Sequence, residues 1–119
     1  MELARYDLDT ARAMLRCGRY LYVLFCCQQS VEKPLKALIV ERTGALPPRI
    51  HNLLRLAQVA GIDLPVVEKR FLAALSAYYI QSRYPEEIRA AASAVTCDVA
   101  TETLGKTEET TQWLFSMRT

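Results

Sequence analysis

The 119-residue sequence predicts an all-α protein, an up-and-down antiparallel helical bundle of about five helices, on three observations. Apolar residues recur at three- and four-residue spacing through most of the chain, the signature of amphipathic helices. Helix-forming residues fill the segments between a few Gly and Pro positions: Gly18, Gly44, Pro47-Pro48, Gly61, Pro65, Pro85 and Gly105. The connections at those positions are short enough for antiparallel neighbours. Length, with 51% hydrophobic and 24% charged residues, fits one compact domain over residues 1–119 that needs no metal or disulfide to hold its core.

The first segment runs from about Ala4 to Cys17, with Leu8, Ala11 and Leu15 on one side and Gly18 as its stop. The second and longest, about Tyr20 to Arg42, repeats Leu24, Cys27, Val31, Leu35 and Leu38 along one face and should end at Thr43-Gly44. Pro34 lies inside it and removes one backbone donor, so a kink rather than a break is expected. A short third helix follows the extended Pro47-Pro48 stretch, from His51 or Asn52 to Ala60, with Asn52 as N-cap and Gly61 as stop. The fourth starts near Pro65 and carries Val67, Phe71, Leu72, Leu75 and Tyr78 or Tyr79. After an Ala-rich connection, Thr96 to Met117 reads as the last helix, with Asp98 favourable near its N-terminus.

Composition excludes several classes. A net charge of +2 is too small for unspecific wrapping of nucleic acid, so any such contact must be local. No apolar run approaches the roughly 20 residues of a bilayer span, and Met1 to Asp7 shows no basic stretch leading into an apolar one, so the expected compartment is cytoplasmic and no membrane contact is expected. Cys17, Cys26, Cys27 and Cys97 form no Cys-x-x-Cys pair, and His51 is the sole histidine, so neither a metal site nor a cofactor is expected and the thiols read as reduced and buried. No Gly-x-Ser-x-Gly elbow or phosphate-cradling glycine loop is present.

Three groups of polar residues could carry chemistry. Gln29, Glu32, Lys33 and Lys36 recur at i, i+3, i+4 and i+7 on the long helix, either as a phosphate- or base-contacting face or as a solvated face with a Glu32–Lys36 pair worth about 0.3–0.5 kcal/mol. His51 opens a helix, where backbone N–H groups favour an anion, or else it caps and packs. In Tyr78-Tyr79-Ile80-Gln81-Ser82-Arg83-Tyr84-Pro85, Arg83 could grip phosphate while Tyr79 or Tyr84 stacks on a base; equally, Arg83 could neutralise a helix carboxyl end. Tyr20, Tyr22, Phe25, Tyr78, Trp113 and Phe115 exceed what one narrow apolar stripe per helix hides, which points to a dimer interface.

Arg5-Tyr6-Asp7-Leu8, then Phe25-Cys26-Cys27-Gln28-Gln29-Ser30-Val31-Glu32-Lys33-Pro34-Leu35-Lys36-Ala37-Leu38, then His51-Asn52-Leu53, and finally Tyr79-Ile80-Gln81-Ser82-Arg83-Tyr84-Pro85-Glu86 together resemble the HEPN domain family over nearly the whole chain. The resemblance implies a small antiparallel bundle, commonly a homodimer, with a nucleotide- or RNA-related role. Many prokaryotic members are encoded beside a minimal nucleotidyltransferase and pair with it in a two-component or toxin–antitoxin system. It carries a nucleotide-binding site onto Gln29, Glu32, Lys36, His51, Tyr79, Arg83 and Tyr84, which are expected to converge in one electropositive pocket. Ribonuclease members use Arg followed by His after four to six residues. Here Arg49 is too near His51 and Arg42 too far, so no catalytic residue is assigned and a non-catalytic module is preferred. The alternatives are a metal-independent endoribonuclease using His51 and Arg83, and a purely structural dimerisation domain.

Overall fold

The computed structural model describes residues 2–79 and 83–118, and among them it contains six α-helices and no strand. These are α1 (Glu2–Arg16), α2 (Tyr20–Thr43), α3 (Leu53–Val59), α4 (Val66–Ser76), α5 (Pro85–Ala94) and α6 (Cys97–Ser116). The expected ends of the first three are set by backbone chemistry. Gly18, at φ 73°, closes α1 while the N–H groups of Gly18 and Arg19 donate to the carbonyls of Leu15 and Met14. Gly61, at φ 72°, repeats the motif with Gly61 and Ile62 donating to Gln58 and Ala57. Gly44, also left-handed, donates to Val40 at the end of α2. Only glycine adopts such a φ without strain, so each marks a stop that the sequence alone announces.

Caps set two of the starts. Asn52 accepts from the Arg55 N–H at 3.0 Å to begin α3, and Thr96 accepts from Val99 at 3.2 Å to begin α6. The long α2 runs unbroken through Pro34, which is buried.

Tyr20 meets Cys97, Cys27 meets Thr107 and Glu41 meets Arg118, in the same order along both helices, so α2 and α6 run in the same sense. Arg5 over the Phe115 ring and Arg12 beside Glu108 set α1 antiparallel to both. Helices α3 to α5 therefore carry the chain back from the end of α2 to its beginning. The core between them is apolar, built from Leu8, Ala11, Val23, Cys27, Val31, Leu35, Leu38, Leu53, Leu56, Leu72, Leu75 and Leu114. Burying each Leu or Val removes enough apolar surface to contribute about 1.5–3 kcal/mol.

Four expectations change. The Ala-rich connection is itself a helix, α5, with Pro85 in its first turn and Glu86 and Glu87 beside its N-terminus. None of its residues is fully buried; Ile88 and Ala91, three apart, pack half-buried against the cluster of Leu21, Leu24 and Val95 and hold it to the bundle. Val67 faces solvent at 71% exposure, leaving Leu72 and Leu75 as the core residues of α4. Tyr20, Phe25, Tyr78, Trp113 and Phe115 are half-buried within the chain, and of that group only Tyr22 is exposed, so the aromatic excess is largely absorbed by the fold itself. The cysteines divide evenly, with Cys26 and Cys27 buried and Cys17 and Cys97 exposed, all four as free thiols.

Burial pushes the Cys26 thiol up to about 11 and the Cys27 thiol to about 12. The folded chain holds these protons more tightly than the unfolded chain does. Their contribution to stability is thus complete below the ordinary thiol value near 9 and is lost as pH climbs through about 11 and 12. Iodoacetamide at pH 8 should alkylate Cys17 and Cys97 promptly and reach Cys26 and Cys27 only after urea unfolding. Rapid labelling of all four sites in the native protein, read by mass spectrometry, would contradict this packing.

Candidate ligand site

An α-helix turns by about 100° per residue, and on α2 this sorts side chains by chemistry. Leu24, Val31 and Leu38 point into the core, while Tyr22, Phe25, Gln29, Glu32 and Lys36 lie along the opposite side. The centre of the polar cluster is Glu32, whose side chain is only 8% exposed. A carboxylate so far from water is tolerable only if its oxygens are satisfied. They are: Oε1 accepts from Gln28 Nε2 and His51 Nδ1, both at 2.9 Å, and Oε2 lies 3.2 Å from Lys36 Nζ.

The loop before α3 brings His51 to this carboxylate, and two further contacts fix it there. Gln28 Nε2 also donates to the His51 carbonyl at 3.0 Å, so one buried amide ties α2 to the loop. The His51 ring stacks on Tyr79 with centroids 3.6 Å apart and planes 8° from parallel. Tyr79 in turn sits 6.0 Å from the Phe25 ring, at 51°. Ser76 locks α3 to α4 by accepting from the Leu53 N–H and donating to the Leu72 carbonyl, both at 2.8 Å. Because a carboxylate only accepts, His51 Nδ1 carries a proton and Nε2 is the nitrogen left for a ligand. The carboxylate also fixes the orientation of the imidazole ring, the arrangement used by proton-transfer residues.

Five of the seven expected residues therefore meet: Glu32, Lys36, His51 and Tyr79 directly, and Gln29 through its bond to Gln28 Oε1 at 2.7 Å. The other two lie apart from this network. The Arg83 guanidinium donates to the Ala77 carbonyl just past α4 and lies 3.9 Å from Glu87, the helix-neutralising role set against phosphate binding above. Tyr84 has an extended backbone, occupies the capping position of α5 and is 72% exposed. Ile80, Gln81 and Ser82 of the same motif lie outside the described residues.

Three details depart from the sequence reading. Lys33 turns away from Lys36 and pairs with Asp7 of α1 at 2.5 Å, because a one-residue step from Glu32 rotates it toward α1. Two of the amides at the start of α3 are already engaged, Leu53 by Ser76 and Arg55 by Asn52, which is the capping role weighed against an anion site there. The buried Glu32 charge offsets Lys36, which makes the cluster mixed in charge rather than simply electropositive. Gln28 and Ser76 were not singled out from sequence. Gln28 stands four residues before Glu32 on one ridge, a spacing that signals the pair; Ser76, a helix-terminal serine contacting a distant backbone N–H, leaves no such local mark.

Among the described residues no cluster of His, Cys, Asp or Glu could hold a metal ion, and no helix is long and apolar enough to cross a membrane. The HEPN domain model matches residues 1–117. The chain belongs to the HEPN domain family. The crystal structure of TT1696 from Thermus thermophilus has a similar fold, with 30% identity, a TM-score of 0.81, and coverage of 97% of this chain and 92% of that one. No curated protein matches the HEPN chain.

If Glu32 is the hub, Glu32→Gln should lower stability by about 1–3 kcal/mol, since the amide keeps one acceptor oxygen and turns an NH2 group toward the donors that converge there, the buried Gln28 amide among them. Gln29→Ala, at the rim, should change it by less than about 0.5 kcal/mol. Urea denaturation reads both, and equal midpoints for wild type and Glu32→Gln would refute the hub.

Proposed function

We propose that this HEPN protein is a non-catalytic nucleotide-binding module, acting as a homodimer and pairing with a minimal nucleotidyltransferase in a two-component or toxin–antitoxin system. The observation that carries the reading is the Glu32-centred cluster. Glu32 fixes Lys36 and His51 side by side, with His51 Nε2 facing away from the carboxylate. An ammonium has three donors, and one bond to Glu32 leaves two for a phosphate. His51 is 39% exposed at its side chain and Lys36 25%, so both are reachable by a ligand without unfolding. The Tyr79 and Phe25 rings beside them supply apolar surface suited to a base. Arg83 and Tyr84 enter the proposal from the family resemblance; neither joins the Glu32 network.

The Glu32–His51 pair also favours the ribonuclease alternative in part, since it orients an imidazole for proton transfer. The second group that alternative needs, Arg83, is engaged by Ala77 and Glu87, which is why binding without cleavage is preferred.

Calorimetric titration with AMP and ATP should show saturable binding that weakens about tenfold in Lys36→Ala and in His51→Ala, the scale of one lost charge-assisted hydrogen bond. Arg83→Ala should weaken it less. No heat with either nucleotide at millimolar concentration would overturn the reading, and RNA cleavage abolished by His51→Ala would transfer the site to the catalytic alternative. Light scattering should give twice the chain mass, 2 × 13.5 kDa, at micromolar concentration.

A further inference from the structure

Helices α4 and α6 both pack on α2 and hardly touch each other, and between them opens a cleft of about 570 Å³. Its walls are largely apolar: Val67, Phe71, Ala74, Leu75 and Tyr78 come from α4 and the turn after it, with Val99 on α6. Glu68 stands among them, half-buried in the first turn of α4, where a negative charge suits the helix dipole. A glutamate at the third position of a helix ordinarily finds a donor in the backbone N–H of the capping residue. Here that residue is Pro65, which has no N–H. Glu68 turns instead to α6, where its Oε2 accepts from the Thr110 hydroxyl at 3.2 Å. That hydroxyl has one proton and a second acceptor in reach, the Lys106 carbonyl at 3.0 Å. No other group among the described residues donates to Glu68, so its Oε1 faces the cleft's surroundings without a partner.

We propose that this cleft binds a small organic cation, a primary ammonium carried on an aromatic or branched apolar body, with the ammonium at Glu68 and the body against Phe71, Leu75 and Tyr78. The cations already at the rim do not serve Glu68. Lys106 Nζ lies 3.3 Å from Glu102, and Arg70, only two residues on from Glu68, points off its face and forms no ion pair among the described residues. Glu109 adds a further carboxylate on the α6 side, so three carboxylates against two cations leave the cleft one negative charge. An ammonium brings the donors that Oε1 lacks, and covering the apolar walls supplies the rest of the affinity. The volume falls within the range of about 300–1,000 Å³ usual for small-molecule sites. The same charge disfavours a phosphate, and the cleft shares no residue with the Glu32 cluster, so this ligand is separate from the nucleotide proposed above.

The test titrates the full chain, labelled for amide NMR, with naphthylmethylammonium, its neutral analogue naphthalenemethanol and the anion naphthylacetate at pH 7. The ammonium should shift the amides of Phe71, Tyr78 and Thr103 and bind about tenfold more tightly than the alcohol, the scale of one charge-assisted hydrogen bond, with the anion weakest. Glu68→Gln, close to isosteric, should bring ammonium and alcohol within about twofold of each other, while Glu109→Gln should leave the preference standing. Ala74→Trp, an exposed change that fills the cleft, should abolish binding of all three with the helical circular dichroism unchanged. Equal affinity for ammonium and alcohol in the wild type, or equal losses in Glu68→Gln and Glu109→Gln, would overturn the assignment to Glu68. Shifts centred on Phe25 and His51 would place the probe in the other site and overturn the cleft. Absence of binding by all three at millimolar concentration would do the same and leave the nucleotide reading intact. Cleft shifts that follow protein concentration without any ligand would mark an interface between copies, and the proposal would fall.

Discussion

A single buried carboxylate organises the polar half of this protein. Removing Glu32 from water would be costly if it stood alone, and the chain offsets that cost with a buried amide, an imidazole and an ammonium converging on its two oxygens. Each of those partners is a structural commitment. Gln28 holds the loop backbone at His51, His51 holds the Tyr79 ring, and Tyr79 reaches Phe25. The position of the loop before α3, and with it the mouth of the site, follows from where one carboxylate finds its donors.

The long helix α2 is what allows the carboxylate to sit there. Its core side is continuous, from Val23 through Ile39, and packs against α1, α3 and α6, so the helix axis is fixed on several sides. The opposite side is free to carry chemistry in order, aromatic at the start and charged toward the end. Residues that step out of this strip are claimed by neighbours: Lys33 goes to Asp7 on α1, and Ser30 donates to the Cys27 carbonyl. A rigid helix with two faces lets one element serve the core and the site together.

Membership of the HEPN family and the fold shared with TT1696 from Thermus thermophilus agree with this arrangement at the level of architecture. Within it, the Arg83 motif takes a structural part. A guanidinium on the carbonyl at the end of α4 and beside Glu87 on α5 joins the two helices across their connection. That role answers the need of a helix C-terminus for a positive partner, and it separates Arg83 from the His51 cluster although both lie in motifs of the same family pattern.

By itself the sequence determined the helical class and most helix ends, because these depend on local chemistry: glycine at Gly18, Gly44 and Gly61 for a left-handed residue, Asn52 for a side-chain cap, Pro65 and Thr96 at helix starts. It also placed Glu32 and Lys36 on one face, since four residues make about one turn. Helix α5 escaped it because only Ile88 and Ala91 of its ten residues pack against the bundle, and these two do not stand out within an Ala-rich run. Only the tertiary structure decided that His51, nineteen residues beyond Glu32, would bond to it, that Tyr79 would stack on that ring, and that Lys33 would leave for Asp7 while Arg83 turned to Ala77. Those outcomes depend on how separate helices are set against one another, and a helical period fixes the direction of a side chain on its own helix without naming what stands opposite.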